Sequence, residues 1–343
     1  MNVVTRWMLV ALVVAALTTL AAAQGQVPVI SGGAVILATQ NGESTFIQPI
    51  LTPVGVVPLG NHFLAETRID MREFYFRANS GQPFSHQWFS SIDYLQLSYI
   101  ANPHMTFTVG RFLTPFGIYN ERLTAQWIRN LQDIPIIYEI GESPVAGSQN
   151  GGMIRGSAYS NAKVEVNYAA FYGAGTTVNK FQAGRAAGGR GGIYLPKARL
   201  EIGGSYERRL ESEHLNAAGA HLSWQPTGTP LDIKSEFAYT RHAHGYWVEG
   251  AYKFSQLPEP NAWIKRFQAV ARVQQFTRVS PDHDALPGVD TQRVDFGVNY
   301  YFPHNVRFVS SYGRQFSSRG NLNVWNVGFT YRFLAPLWPG SSK

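Results

Sequence analysis

The chain has no cysteine. That excludes disulfides, thiolate metal sites and a cysteine nucleophile, and it fits a chain exported through an oxidising space. Beyond the N-terminus no run reaches the roughly eighteen apolar residues a membrane-spanning helix needs. Charge of one sign is not concentrated: 29 Lys and Arg against 22 Asp and Glu give a net +7, scattered along the chain. Nucleic-acid binding requires clustered bases interleaved with stacking aromatics, so that class is excluded.

Catalytic and cofactor motifs are also missing. Gly141-Glu142-Ser143-Pro144 fails the nucleophile-elbow pattern. His242-Ala243-His244 has no third ligand at a suitable spacing, and His214 and His221 lie on a segment of mixed parity with no serine motif. Residues 184–192 (GRAAGGRGG) have the glycine density of a phosphate loop but lack its Lys-Ser/Thr. They read as a flexible outer loop whose Arg185 and Arg190 attract anions at a mouth. No cofactor, metal or catalytic residue is expected.

What the chain does have is alternation. In 323–333 (NVWNVGFTYRF) the odd positions are Trp325, Val327, Phe329, Tyr331 and Phe333, and the even ones include Asn326, Thr330 and Arg332. Strict period two over about ten residues is a strand with one apolar and one polar face. Segments 163–172, 197–206, 231–239, 246–254 and 293–302 repeat it, with charges on one parity and Tyr, Phe and Val on the other. Strands of this length and pattern span a bilayer as a closed barrel, lipid outside and water inside. Trp325, Phe329, Tyr331 and Phe333 are its expected lipid-facing girdle.

Residues 1–23 carry Arg6, an apolar run over 7–20 and Ala21-Ala22-Ala23, the pattern of a cleavable signal peptide. Residues 24–61, rich in Pro and Gly, are expected as one or two first strands or a pore lining. Residues 62–333 form the barrel, and 334–343 a C-terminal tail. Short turns at 102–104, 160–162, 226–230 and 303–305 alternate with long connections at 113–150, 175–195 and 279–290. The strand directions fail to close by one, so a strand is hidden in 174–196 or 140–155. Parity breaks near Arg72 and Asp93 suggest bulges. The fold class is an all-β transmembrane antiparallel barrel of about 14–16 strands.

The run 109–117 (VGRFLTPFG) resembles the strand and Pro-Phe-Gly segment of the phosphate-selective porins O and P. Residues 234–239 (KSEFAY), 245–252 (GYWVEGAY) and 297–303 (GVNYYFP) are similar to that family in the same order. The resemblance implies sixteen strands, a homotrimer in the bacterial outer membrane, and passive diffusion favouring anions. Two features depart from the pattern: a tail follows the last strand, and no dense arginine ladder is present.

The segment after Gly117 is expected to fold inward with a short helix over 121–132, capped by Asn120 and ended by Asp133 and Pro135. Leu123, Trp127 and Leu131 then share one face, which packs on the wall. Arg122, Gln126 and Arg129 share another, the candidate constriction. An extracellular helix outside the pore is the competing reading. Strand parity assigns Lys163, Lys197, Arg199, Lys234, Lys253, Arg266, Arg272, Arg293, Arg307 and Arg332 to the lumen. Glu165, Glu201, Asp232, Glu236, Glu249 and Asp295 share those faces. The modest basic excess predicts a weak to moderate anion preference. Outer-membrane lipid and small anions or other small solutes are the expected partners. A plugged adhesion barrel and an outer-membrane hydrolase are the alternatives.

Overall fold

The computed structural model describes residues 27–138, 147–178, 181–211, 214–257, 261–281 and 287–337. The expected signal peptide, residues 141–144 and the end of the tail lie outside these. Among the described residues sixteen strands follow one another. They are β1 (Val29–Asn41), β2 (Ser44–Leu59), β3 (Phe63–Arg77), β4 (Ser85–Asn102), β5 (Met105–Leu113), β6 (Ser148–Ser160), β7 (Glu165–Gly173) and β8 (Ala186–Leu195). Then come β9 (Leu200–Arg209), β10 (Asn216–Trp224), β11 (Leu231–Thr240), β12 (Ala243–Lys253), β13 (Phe267–Arg278), β14 (Thr291–Tyr301), β15 (Val306–Ser317) and β16 (Leu322–Pro336).

Each strand pairs antiparallel with its sequence neighbours, and β1 closes the barrel on β16, with Val29 opposite Pro336 and Asn41 opposite Val324. Closure leaves no open sheet edge for lipid to face, the condition a membrane-spanning sheet must meet. The alternation sorts residues as the sequence predicts. Trp325 is 57 % exposed on the outer face while Asn326 beside it is 3 % exposed on the inner one. Val327, Phe329 and Tyr331 share the outer face, and Val324 and Thr330 the inner. A soluble sandwich would bury those aromatics. Here they cover the outside, with polar side chains packed inside.

Residues 24–61 supply two strands, β1 and β2. Both intervals suspected of hiding a strand hold one, β6 and β8. The glycine-rich stretch 184–192 is therefore mostly strand, a correction to its reading as a flexible outer loop. Its small residues carry no apolar parity to betray it. Arg190 accordingly points into the barrel and is buried, instead of sitting at a mouth. Between β3 and β4 the register shifts once, leaving Asp93 as the extra residue between Ile92 and Tyr94. Arg72 stays in register opposite Phe89, so the parity break expected there is not a bulge between these strands. The last strand runs to Pro336, past the expected start of the tail at 334.

Most connections at one end of the barrel are brief, including 103–104 and 302–305. Those at the other end include 114–147, 174–185 and 279–290. We call these the turn end and the loop end. The connection 114–147 is the longest, and it turns inward.

Candidate functional site

The inward path starts where β5 ends. Phe112 is fully buried and meets Phe171 of β7 edge-on at 6.1 Å. At Gly117 the chain adopts a left-handed φ of +60°, and a Cβ there would collide with Glu236 Oε1 of β11. Only glycine fits both demands. Its N–H donates to Ser205 Oγ of β9 at 3.0 Å. The next two N–H groups, of Ile118 and Tyr119, both donate to Glu236 Oε1, the second at 2.7 Å. Trp247 Nε1 of β12 donates to Glu236 Oε2 at 2.9 Å. A wall carboxylate thus holds the first turn of α1 (Tyr119–Arg122) by charge-assisted hydrogen bonds.

The expected helix over 121–132 is cut to these four residues. Asn120 is not its cap: it lies inside α1, buried, and its Nδ2 donates to Thr114 O at 2.8 Å and Gly147 O at 2.9 Å. That ties the two stems of the loop together. Helical bonding stops because side chains take the carbonyls. Arg129 donates to Leu123 O at 3.0 Å, to Thr124 O and to Gln132 O at 3.2 Å, and Gln126 Nε2 donates to Gln132 O at 2.8 Å. Gln126 and Arg129 are buried in the loop's own turn, with the Arg129 guanidinium 5.5 Å from the Tyr119 ring. Of the three residues expected on one polar helical face, only Arg122 remains open to solvent. Burial pushes the Tyr119 hydroxyl up to about 12.

Leu123, Trp127 and Leu131 do not share one face either. Leu123 joins the cluster of Phe116, Ile118, Ile136 and Ile137 against Trp247 and Phe276. Trp127 packs on Val35, Leu37 and Ile50 of β1 and β2, and Leu131 on Ala251 and Val270 of β12 and β13. Four inward-facing glycines receive these anchors. A Cβ on Gly33 of β1 would overlap Trp127. One on Gly219 of β10 would lie 2.6 Å from Phe116, one on Gly245 of β12 2.7 Å from Ile137, and one on Gly297 of β14 2.6 Å from Leu131. Each glycine leaves a socket that one loop side chain fills, so the loop is keyed to the wall at four places around the circumference.

Polar anchors complete the docking. Asp133 pairs with Arg293 of β14 and accepts a hydrogen bond from Asn326 Nδ2 of β16 at 2.9 Å. Its carbonyl accepts one from Arg272 of β13 at 3.0 Å. Burial opposes ionisation of Asp133, but Arg293 and Arg272 outweigh it and hold the carboxyl below its ordinary range. Arg307 of β15 donates to Trp127 O at 3.2 Å and Arg129 O at 2.7 Å. Asn130 Nδ2 donates to Glu249 of β12 at 3.0 Å, and Asn299 of β14 donates to Asn130 O at 2.9 Å.

The face of the loop turned toward β3–β9 is different: there the charges reach solvent. Arg122 makes a bidentate pair with Glu201 of β9 at 2.6 and 2.8 Å, and the arginine side chain is 43 % exposed while the carboxylate is 9 % exposed. Glu121 pairs with Arg155 of β6 at 3.0 Å and Arg190 of β8 at 2.6 Å. Arg155 is 40 % exposed and Glu121 11 %. Arg72 of β3 pairs with Asp70 and is again the more exposed partner. At Arg72–Asp70, Arg122–Glu201 and Arg155–Glu121 the arginine is the partner that reaches the water, whereas at Arg68–Asp93 and Arg190–Glu121 the carboxylate is the more exposed.

The strand register puts Lys234, Lys253, Arg272, Arg293, Arg307 and Arg332 on the inner parity of their strands. Lys234 pairs with Asp232. Lys163, Lys197, Arg199 and Arg266 are corrections. Lys163 sits in the β6–β7 turn, its N–H donating to Asn161 Oδ1 at 2.8 Å. Lys197 and Arg199 lie in the β8–β9 turn, Arg199 left-handed at φ 49°, because Leu195 already pairs with Leu200. Arg266 ends an exposed 3₁₀ turn, Ile264–Arg266, before β13. All four lie beyond the strand ends, where the alternation no longer holds. The anchoring role of Glu236, the glycine sockets and the arginines of β3–β8 escaped the sequence reading. A glycine on the polar parity of a strand, as at Gly297, was the available signal. Among the described residues no cluster of three His, Asp or Glu is placed to hold a metal.

No family model and no curated protein sequence matches the chain. Solved structures match over most of its length. Salmonella typhi OmpF, solved with daunomycin, is 13 % identical with a TM-score of 0.57, covering 90 % of this chain and 99 % of that one. Pseudomonas putida OprB at low pH is 10 % identical with a TM-score of 0.58, covering 90 % and 92 %. The anion-selective porin of Comamonas acidovorans is 9 % identical with a TM-score of 0.52, covering 90 % and 99 %. The likeness to phosphate-selective porins is thus supported as far as a porin barrel and no further. Identities this low carry the architecture alone: the chain has the barrel fold of the bacterial outer-membrane porins.

Proposed function

We propose that the chain is a porin of the bacterial outer membrane, a non-enzymatic channel through which small hydrophilic solutes diffuse passively, with a weak to moderate preference for anions. The observation that carries the channel reading is a loop locked into the lumen of a closed barrel whose outer face is apolar. The loop leaves room beside it: Arg122 and Arg155 keep 43 % and 40 % of their side chains exposed, as a constriction requires and a plug does not. The sign of the selectivity rests on the pairs facing β3–β9, where Arg72, Arg122 and Arg155 reach solvent further than their carboxylates. Arg122 is the residue of the loop best placed to meet a permeating ion. The partners are outer-membrane lipid and small anions, and the assembly implied by the family resemblance is a homotrimer.

Phosphate is one candidate solute among several, because Arg72, Arg122 and Arg155 each carry a carboxylate partner and form no unpaired ladder. Planar-bilayer recording with reversal potentials in chloride and phosphate gradients tests the reading. Stepwise conductance with a potential displaced toward the anion supports it. Silence at high protein concentration refutes it and favours the plugged barrel.

A further inference from the structure

Nearly every inward arginine of this barrel is matched to an acid: Arg68 to Asp93, Arg72 to Asp70, Arg122 to Glu201, Arg155 and Arg190 to Glu121, Arg272 and Arg293 to Asp295. Among the described residues a group of cations at the turn end breaks the rule. At the turn end, below loop residue Trp127, a hollow of about 380 Å³ is lined by Lys253 of β12, Tyr301 of β14, Arg307 of β15, Arg332 of β16 and His304 of the β14–β15 turn. Among the described residues its lining contains no Asp or Glu. Neither Lys253, Arg307 nor Arg332 forms an ion pair among the described residues.

These cations rest on aromatic faces instead. Lys253 Nζ stands 5.2 Å from the Tyr301 ring centre and the Arg307 guanidinium 5.8 Å from it, while the Arg332 guanidinium stands 5.2 Å from the Trp127 ring centre. Arg332 is close enough to repel Arg307. Three cations crowded without a counter-charge carry a repulsion that a bound anion removes. The turn is held firmly: His304 and Asn305 are both left-handed, at φ 60° and 62°, and Arg332 N–H donates to Asn305 O at 3.1 Å.

Building on the channel reading, we propose that this hollow is a binding site for a small organic anion bearing two or more carboxylates. Lys253, Arg307 and Arg332 take the carboxylates, and the Trp127 and Tyr301 rings take the carbon skeleton. A hydrated inorganic ion makes use of the cations but not of the aromatic walls, so the combination selects an organic skeleton. The volume lies within the range of small-ligand sites. The hollow lies under the loop on the β12–β16 side of the same lumen, so a bound polyanion narrows the turn-end exit and its charge opposes chloride, lowering the current.

The test is block of chloride current through single channels by citrate added to both sides, compared with inorganic phosphate at matched charge and ionic strength. Citrate is expected to block saturably and phosphate at least about tenfold more weakly. The double substitution Lys253→Gln/Arg332→Gln is expected to raise the half-blocking citrate concentration about tenfold or more. Stepwise chloride conductance in the same recordings reports whether the channel reading stands, independently of block. Conducting channels that citrate does not block, or that phosphate blocks equally, overturn the site. So does block that survives the double substitution. If no conductance is seen, calorimetric titration of the detergent-solubilised protein with citrate decides. Heat of binding lost in the double variant supports the site, and absence of heat in the wild type overturns it.

Discussion

Replacing Glu236 by alanine probes the docking of the loop directly. The carboxylate accepts hydrogen bonds from Ile118 N–H, Tyr119 N–H and Trp247 Nε1, and the side chain is buried. Without it three buried donors lose their acceptor, at about 1–3 kcal/mol each. Burying a carboxylate is itself costly, so the net loss falls in the lower part of the summed range, about 3–5 kcal/mol. That loss acts on the Gly117–Tyr119 turn, which can undock while the barrel stays closed. With tenfold per 1.4 kcal/mol, the open population rises at least about a hundredfold. Trypsin digestion in detergent reads this as faster cleavage after Arg122, with β-sheet circular dichroism unchanged. Glu236→Gln keeps one acceptor oxygen and falls between. A Glu236→Ala rate within twofold of wild type would mean that the loop is not held by this carboxylate.

Other substitutions address the remaining contacts. Gly33→Val fills the socket of Trp127 and is expected to destabilise the loop by about 1–3 kcal/mol; Trp127→Ala in the same chain relieves the overlap, so the double variant melts above the Gly33→Val single. Arg122→Glu with Arg155→Glu reverses the two most exposed cations of the passage and is expected to shift the reversal potential toward cations, in a potassium chloride gradient. Asp133 has a carboxyl held below its ordinary range, so its contribution is complete at neutral pH, above its unfolded value. It is lost as pH falls through the depressed folded value. Channel noise from loop release is expected only at strongly acid pH in the wild type, and already at neutral pH in Asp133→Asn.

The strand face was readable because lipid and lumen impose opposite chemistry on alternate residues, and 323–333 obeys that rule residue by residue. β8 was not readable: in AAGGRGGIYL small residues fill both parities, and a period needs contrast. The loop failed for another reason. Leu123, Trp127 and Leu131 have helical spacing, yet each anchors on a different arc of the wall, and the partners lie far away in sequence: Gly33 for Trp127, Gly297 for Leu131, Glu236 for Ile118. Nothing local to 114–138 encodes those pairings. The charges divide the same way. Arg272, Arg293 and Arg307 sit mid-strand or at a strand start and parity places them. Lys163, Lys197, Arg199 and Arg266 sit where turn geometry has already broken the alternation. That Arg129 spends its donors on carbonyls of its own loop followed from no pattern of charge.

The absence of native cysteine makes a single introduced thiol a clean reporter of which surface conducts. Arg122→Cys and Phe329→Cys place that thiol on the inner loop and on the lipid-facing strand surface respectively. Each is exposed, in a planar bilayer, to a membrane-impermeant anionic thiol reagent while single-channel current is followed. Stepwise conductance that drops on modification of residue 122 and is untouched in the 329 variant is the expected result. Absence of steps, or an equal response at the two positions, would contradict a water-filled lumen lined by the infolded loop.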